Sequence, residues 1–399
     1  MGRQLLLTYD FPPIGGGIAR WMGEMARHYS AGSLIVSTGF HPDSASVDTE
    51  FPNQIDRLST RARRLRTLPN LIRWSRRASA LARVSNFEFT WCGNLKPAGY
   101  PARWIQSRLR IPYGLIVHGG DLLILHEQIR QSAHKGRTTR ALLKSSSVLV
   151  ANSRWTADLC HSLLSTLHIE PGPDKVRVVP LGSDPQRFRP AIDPREVRER
   201  YGLDNRRWLM TVARLTRHKG IDTGLRVLAA LCDSYPDLAY AVIGVGDELP
   251  ALQNMARELG VSDRVLFLTS VPDRDLPGLY NCAEIYLGLS RRLPTNVEGF
   301  GISLVEAGAC GIPVIAGRSG GIPDAVRDGE TGLLVDSEHL EEVSSAVRRL
   351  LDDELLARSL GAGGRRAVET YYNWRRVATD LYEIGHELGN SAGHHMAGK

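Results

Sequence analysis

Short runs rich in β-branched residues alternate with helical patterns along the whole chain, and that alternation restricts the folds open to it. Such runs stand at 4–9, 33–37, 113–118, 147–151 and 176–180, and again at 208–213, 239–243, 265–267, 285–289 and 313–316. Helical patterns at 18–29, 220–235, 249–259 and 305–309 occupy intervals between them. This is the pattern of parallel sheets covered by helices on both faces, so an α/β class is expected. At 399 residues the chain is long for one core, and two domains follow. The boundary is placed near Pro190, where Pro180-Leu-Gly-Ser-Asp-Pro-Gln-Arg-Phe-Arg-Pro190 gathers turn formers. The expected division is therefore 1–189 and 190–373. A C-terminal helix over 374–388 then packs back on the first domain, and the Gly-, Ser-, Ala- and His-containing tail 389–399 is expected to be disordered.

Five scattered cysteines, Cys92, Cys160, Cys232, Cys282 and Cys310, form no close pair and read as reduced thiols. The opening residues run straight into an apolar strand too short for a signal peptide. No stretch approaches the roughly 20 apolar residues that span a bilayer. A cytoplasmic protein is expected, with any membrane contact peripheral and on the inner face. The net charge of +7 is unevenly divided: residues 1–190 hold 26 Lys and Arg against 13 Asp and Glu, whereas the remainder holds 24 against 30. The excess positive charge lies in the first half and points to an anionic partner.

Two cations in the second half stand where a diphosphate would be met. The strand at 208–213 leads into Arg214-Leu-Thr-Arg-His-Lys219-Gly220 and then a helix, whose free N–H groups and dipole suit an anion. Alone, these charges read more readily as a solvated loop. Further on stands Glu298-Gly-Phe-Gly-Ile-Ser-Leu-Val-Glu306. Its glycines permit close approach of backbone to a ligand, and its two carboxylates suit two sets of hydroxyls. Alone, Glu298 is better explained as a cap and Glu306 as an exposed helix residue. In the first half, His118 ends an apolar strand in His118-Gly-Gly-Asp121, where a lone histidine is more often structural.

As a set these residues resemble the donor site of family 4 glycosyltransferases. Arg214, Lys219, Glu298 and Glu306 occur in the family's order, with seven residues between the glutamates. The segments 306–317 and 320–335 are similar as well. The resemblance implies a GT-B fold, two Rossmann-like doubly wound domains facing each other across a cleft. It implies that Arg214 and Lys219 hold the donor diphosphate and stabilise the leaving group. Glu298 would contact the donor sugar, helped by the amides of Phe300 and Gly301. Glu306 would take the ribose hydroxyls, and the loop around Val271 and Leu276 the base. On the acceptor side, Asp10-Phe-Pro-Pro-Ile-Gly-Gly-Gly17 is similar to the family's glycine-rich first loop, with Gly16 and Gly17 allowing approach to the diphosphate. It is a poor dinucleotide fingerprint, because prolines separate its glycines from the strand. His118 matches the family's active-site histidine.

No cofactor is expected beyond the nucleotide diphosphate sugar as co-substrate. Asp273-Arg-Asp275 spells a manganese motif of other glycosyltransferases, but it precedes Leu276-Pro-Gly, where helix capping is the natural role. Arg214 and Lys219 would supply the charge a metal brings. The reaction implied is transfer to an acceptor hydroxyl with retained configuration. Val297-Glu-Gly-Phe-Gly301 and Ala316-Gly-Arg-Ser-Gly-Gly321 are most similar to the phosphatidylinositol mannosyltransferase branch, which implies GDP-mannose and a lipid-linked or cell-envelope glycan acceptor. A UDP-sugar donor with a soluble acceptor is the alternative within the same framework, whereas the paired glutamates and the Arg214–Lys219 loop argue against a nucleotide-sugar epimerase of similar architecture. A non-catalytic basic binding protein would have no use for the paired glutamates. Nine arginines from Arg57 to Arg83, interleaved with Leu65, Leu68, Leu71, Ile72 and Trp74, read as two short amphipathic helices broken at Pro69. They suit an anionic membrane surface, or else form a solvated face. No nucleic-acid module is present.

Overall fold

The computed structural model describes residues 2–397, and the side chains of all of these except Arg63 and 393–397. One compact unit takes the chain up to Pro180 and again from Trp374, and the second is Leu181–Asn373. The first unit holds seven strands: β1 (Arg3–Leu7), β2 (Leu34–Phe40), β3 (Gln54–Arg61), β4 (Phe87–Cys92), β5 (Tyr113–Val117), β6 (Val148–Ala151) and β7 (Val176–Val178). They form one parallel sheet in the order β3-β2-β1-β4-β5-β6-β7. The second unit holds β8 (Arg207–Val212), β9 (Leu238–Ile243), β10 (Val265–Leu268), β11 (Ala283–Gly288), β12 (Val314–Gly317) and β13 (Leu333–Val335). They too are all parallel, in the order β10-β9-β8-β11-β12-β13.

Both sheets wind outward in two directions from their first strand. The order therefore reverses between β1 and β4 in one unit and between β8 and β11 in the other. At such a point the loops leaving the carboxyl ends of neighbouring strands diverge and open a crevice. Inner strands such as β5, β6 and β9 are buried along their full length, which their unbroken apolar runs allow because helices cover both faces.

The expected strands are present, and β3, β4 and β13 add to them. The sequence pattern hid β3 because it is an edge strand with only part of one face buried. Arg57, counted with the basic helices, belongs to it. Its guanidinium is turned inward onto the Asp48 carboxylate, at 2.7 Å from both oxygens, and onto the Gly39 and Pro12 carbonyls. The two short helices expected around Pro69 are instead a 3-10 turn, Ala62–Arg66, and one helix, Leu68–Ser85. Pro69 starts that helix rather than breaking it, since the N–H of a first-turn residue has no intrahelical acceptor and its absence costs no hydrogen bond.

The division falls at Pro180 rather than at residue 189 because segment 181–190 is tied to the second unit. Phe188 packs edge-on against Tyr280 at 5.7 Å, and Arg365 donates to the carbonyls of Pro185, Phe188 and Ala309. The helix Trp374–Ala397 belongs to the first unit, beside β4 and the helix Gly17–His28. It extends through most of the stretch expected to be a disordered tail; residues 398 and 399 lie outside the described residues. All five cysteines are free thiols.

Candidate active site

In the second unit, the loops that leave β8 and β11 carry Arg214, Lys219, Glu298 and Gly301 of the expected donor residues to the crevice between these strands. The chain leaves β8 through Arg214 and makes one 3-10 turn, Arg217–Lys219. It then enters the helix Ile221–Leu231 through Gly220. Gly220 has φ 69°, and a Cβ there would lie 2.0 Å from the Leu289 carbonyl oxygen, so only glycine lets this loop pass the end of β11. Lys219 is thereby aimed at Glu298, and the ammonium and carboxylate form an ion pair. Arg214 is exposed and has no acidic partner among the described residues. The crevice therefore carries one cation already paired and one ready for an anion.

Glu298 sits in the loop after β11, ahead of the helix Ile302–Ala309. Burial raises its carboxyl pKa, but Lys219 outweighs that, aided by His218 and the Phe300 amide. The net effect holds the carboxyl below its usual range. Gly301, at φ 102°, caps the helix and lines a narrow cleft with Lys219, Glu298 and Ser290. Gly320 and Gly321 close over the same loop: the Gly321 N–H donates to the Glu298 carbonyl at 2.9 Å, and a Cβ on Gly320 would meet that carbonyl at 2.3 Å. Glu306 is 2% exposed and accepts from the Tyr280 hydroxyl at 2.8 Å, so it is no exposed helix residue. Val271 and Leu276 are half-buried on either side of the turn Asp273–Asp275.

The Asp273-Arg-Asp275 carboxylates are both taken by arginines. Asp273 pairs with Arg187 at 2.6 Å, and Asp275 accepts from Arg200 at 2.8 Å and Tyr201 at 2.6 Å. Asp275 stands at the N-cap of the helix Leu276–Tyr280, as expected, but its carboxylate makes no capping hydrogen bond because Arg200 and Tyr201 hold it.

His218, between the two cations, is buried. Its pKa falls to about 4, chiefly through desolvation and then through Lys219, with Arg214 and Arg291 adding to the effect against Glu298. In the unfolded chain a histidine titrates near about 6.5. The unfolded state therefore binds more protons between these values, and stability falls as pH drops from about 6.5 to about 4. Relative to His218→Asn, the wild-type unfolding free energy should fall by up to about 1.4 kcal/mol per pH unit within that window and by nothing above it. Denaturant titrations of both proteins at pH 7.5, 5.5 and 4.5 measure this; parallel curves would contradict it.

In the first unit, Gly16 has φ 119° and caps the helix Gly17–His28, with open space around both glycines. His118 follows β5 and is the N-cap residue of the helix Gly119–Gln131. Its Nε2 lies 2.9 Å from the Gly93 carbonyl oxygen, and its ring packs edge-on against Trp21 at 5.2 Å. A carbonyl only accepts, so Nε2 carries the proton. Burial lowers the pKa despite Asp121, Gly93 and Asp10, leaving a neutral ring with Nδ1 as an acceptor. His118 also lines a pocket of 420 Å³ with Tyr9, Arg66, Lys96, Tyr100 and Asp121. Sequence reading missed this use of Lys96 and Tyr100. The available sign was a lysine in the Gly93-Asn-Leu-Lys96-Pro turn just past a buried strand.

The glycosyl transferases group 1 profile matches residues 193–367, and the Glycosyltransferase Family 4 profile matches residues 15–187. Over 95% of its length the chain is 33% identical to the GDP-mannose-dependent alpha-(1-6)-phosphatidylinositol monomannoside mannosyltransferase of Mycolicibacterium smegmatis, covering 97% of that protein. The chain belongs to the family 4 glycosyltransferases. The protein of that same description from Mycobacterium tuberculosis H37Rv is 30% identical over 96% of this chain and 98% of its own length. Among solved structures, the sucrose-phosphate synthase of Thermosynechococcus elongatus superposes with a TM-score of 0.76 at 20% identity, over 98% of this chain and 100% of that one. Anabaena HepE in complex with UDP and glucose gives 0.76 at 19% identity, over 96% and 99%. The fold is thus the GT-B fold, and the chain is a retaining glycosyltransferase that uses a nucleotide-sugar donor.

Proposed function

We propose that this glycosyltransferase moves mannose from GDP-mannose to a hydroxyl of a lipid-linked or cell-envelope glycan, with no metal ion required. The full-length similarity to GDP-mannose-dependent mannosyltransferases carries the choice of donor. The loop chemistry supports the rest. Arg214 and Lys219 take the diphosphate and the negative charge that grows on it as the glycosidic bond breaks. Such charge is best met by fixed cations and helix N–H groups that need no reorganisation. Lys219 exchanges part of its Glu298 contact for the phosphate, and Glu298 takes hydroxyls of the sugar. The amide of Gly301 lies at the same helix start, Glu306 takes the ribose, and the Val271–Leu276 turn takes the base. No side chain stands out as a nucleophile on the sugar, so the acceptor oxygen attacks on the face the phosphate leaves. In the first unit His118, neutral, accepts a hydrogen bond, and Gly16 and Gly17 leave open backbone at the start of the helix Gly17–His28. Labelled mannose transferred to extracted lipid-linked glycans in the presence of EDTA is the expected result. Transfer from UDP-sugars alone, or only with added manganese, would overturn the reading.

The peripheral membrane location also belongs to this proposal. The helices Leu68–Ser85, Gly99–Leu109 and Ala133–Ser145 pack in succession and contain no Asp or Glu. Arg57 and Arg77 are spent on Asp48 and Asp56, so the attraction rests on exposed residues such as Arg73, Arg76, Arg83, Arg103 and Arg108. No helix is long and apolar enough to cross a membrane among the described residues. Each cation near an anionic surface contributes about 1 kcal/mol. Arg73→Glu/Arg76→Glu should therefore lower binding to phosphatidylglycerol-containing vesicles by more than about tenfold, and 0.5 M salt should do likewise. Sedimentation insensitive to both would remove the membrane from the account.

A further inference from the structure

The amino ends of β6 and β7 border an open pocket of 520 Å³ that the reaction does not use. His118 follows β5 at the opposite end of this sheet, about 15 Å away, the length of strands such as β5 and β6. Arg140, Lys144, His168 and Lys175 line the pocket, against Glu170 as its single acid. Among the described residues no carboxylate pairs with any of the four. The sequence accounts for the excess, since no Asp or Glu stands between Glu127 and Asp158.

Lys175 is half-buried just before β7. Its ammonium donates to the Ser146 carbonyl and, at 3.1 Å, to the Ser146 hydroxyl. That hydroxyl donates onward to the Leu143 carbonyl at 3.0 Å, so it meets Lys175 with a lone pair. Burial alone pushes the Lys175 pKa down to about 8. Arg140 is fixed in the same manner, donating to the carbonyls of Leu167 at 2.9 Å and His168 at 3.3 Å. These carbonyls stand at the ends of the helices Ala133–Ser145 and Arg154–Thr166, where cations are natural caps. Capping holds Arg140 and Lys175 in place but leaves them without a counter-ion. It does not explain Lys144, exposed one turn after Arg140 and making no hydrogen bond among the described residues. Nor does it explain His168, which stands at φ 50° where a helix end usually takes glycine. The backbone bonds of that end, His168 N–H to Ser165 and Ile169 N–H to Leu164, both at 2.9 Å, need no side chain. The histidine adds a ring to the pocket. A half-buried ammonium met only by neutral oxygens is a cost that an arriving anion relieves.

We propose that this pocket is a second ligand site, separate from the donor and acceptor loops, which takes a phosphate monoester on Lys175, Arg140 and Lys144. Such an ester carries about two negative charges at neutral pH, which matches three cations against one acid. The volume admits a small body behind the phosphate. A soluble phosphorylated molecule and a lipid headgroup share this chemistry.

Calorimetric titration of the full-length protein, with GDP present throughout to fill the donor site, tests this with glycerol 3-phosphate and dimethyl phosphate. Glycerol 3-phosphate should saturate at one per chain and bind at least about tenfold more tightly than dimethyl phosphate, a monoanion. Lys175→Gln should weaken it at least about tenfold, whereas Arg73→Glu/Arg76→Glu on the basic helix Leu68–Ser85 leaves it unchanged. Should Lys175→Gln fail to fold, Lys144→Glu decides, because Lys144 is exposed. Sedimentation with vesicles containing phosphatidic acid or, at matched charge, phosphatidylglycerol reports the lipid source. A preference for phosphatidic acid that Lys144→Glu abolishes supports the site through a headgroup, even where glycerol 3-phosphate does not bind. Absence of both glycerol 3-phosphate binding and that preference overturns the proposal, as does binding that neither lysine variant weakens.

Discussion

Lys219→Met should lower the transfer rate by at least about a hundredfold, because it removes a fixed cation from the departing diphosphate. Loss of one preorganised group facing developing charge costs about 2.7–4 kcal/mol in the transition state. The same substitution strands Glu298, whose carboxylate is only 21% exposed and is held ionised by Lys219. Breaking one side of such a pair also costs stability, here about 2 kcal/mol given the partial solvent access. The double variant Lys219→Met/Glu298→Gln separates the two effects: it should recover most of the stability and none of the rate. Denaturant unfolding and single-turnover transfer, measured on the same preparations, check both. A rate that returned with stability would make Lys219 a structural residue.

Gln4→Leu should destabilise the first unit by about 3–5 kcal/mol, through several buried groups left without partners at about 1–3 kcal/mol each. Gln4 is fully buried in β1. Its Oε1 accepts from the Tyr29 hydroxyl and the Trp91 Nε1–H, both at 3.0 Å. Its Nε2 donates to the Tyr382 carbonyl at 2.9 Å and to Glu88 at 3.1 Å. One amide thus ties β1 and β4 to the C-terminal helix, which is also held by Glu88 to His386 at 3.0 Å and Arg177 to Glu387 at 2.7 Å. Those outer pairs are more exposed and should contribute less: Arg177→Gln should cost under about 1 kcal/mol. Chemical denaturation followed by tryptophan fluorescence distinguishes the two. Equal effects would mean that the helix is held by its surface pairs.

The alternation of strand and helix was legible where inner strands such as β5, β6 and β9 are unbroken apolar runs, whereas inner β4, Phe87-Glu-Phe-Thr-Trp-Cys92, was hidden by Glu88 and Thr90. The edge strand β3 was hidden too, since Gln54-Ile-Asp-Arg-Leu-Ser-Thr-Arg61 carries its charges into the fold, onto Asp48 and from Asp56 onto Arg77. Charge counted along a sequence says nothing of which arginines are spent in this way. In the second unit, Arg214, Lys219, Glu298 and Gly301 were expected from the family resemblance, and the structure places them on the loops after β8 and β11, at the reversal of strand order, where loops must open. The Lys219–Glu298 pair joins two loops far apart in sequence and is a product of the fold alone. The setting of Lys96 was out of reach for the same reason, since the hydroxyls that hold it come from a helix about forty residues away.

The central claim is that a nucleotide diphosphate binds the Arg214–Lys219 loop without a metal. The thermal midpoint of the wild type and of Arg214→Ala, with GDP, UDP and ADP, each with and without EDTA, tests it most directly. At about a hundred times its dissociation constant a ligand adds about 2.7 kcal/mol to the folded state. The account predicts that GDP raises the wild-type midpoint, that EDTA leaves the shift unchanged, and that Arg214→Ala loses it. A protein that no nucleotide stabilises, or one stabilised only when a divalent metal is present, would contradict it.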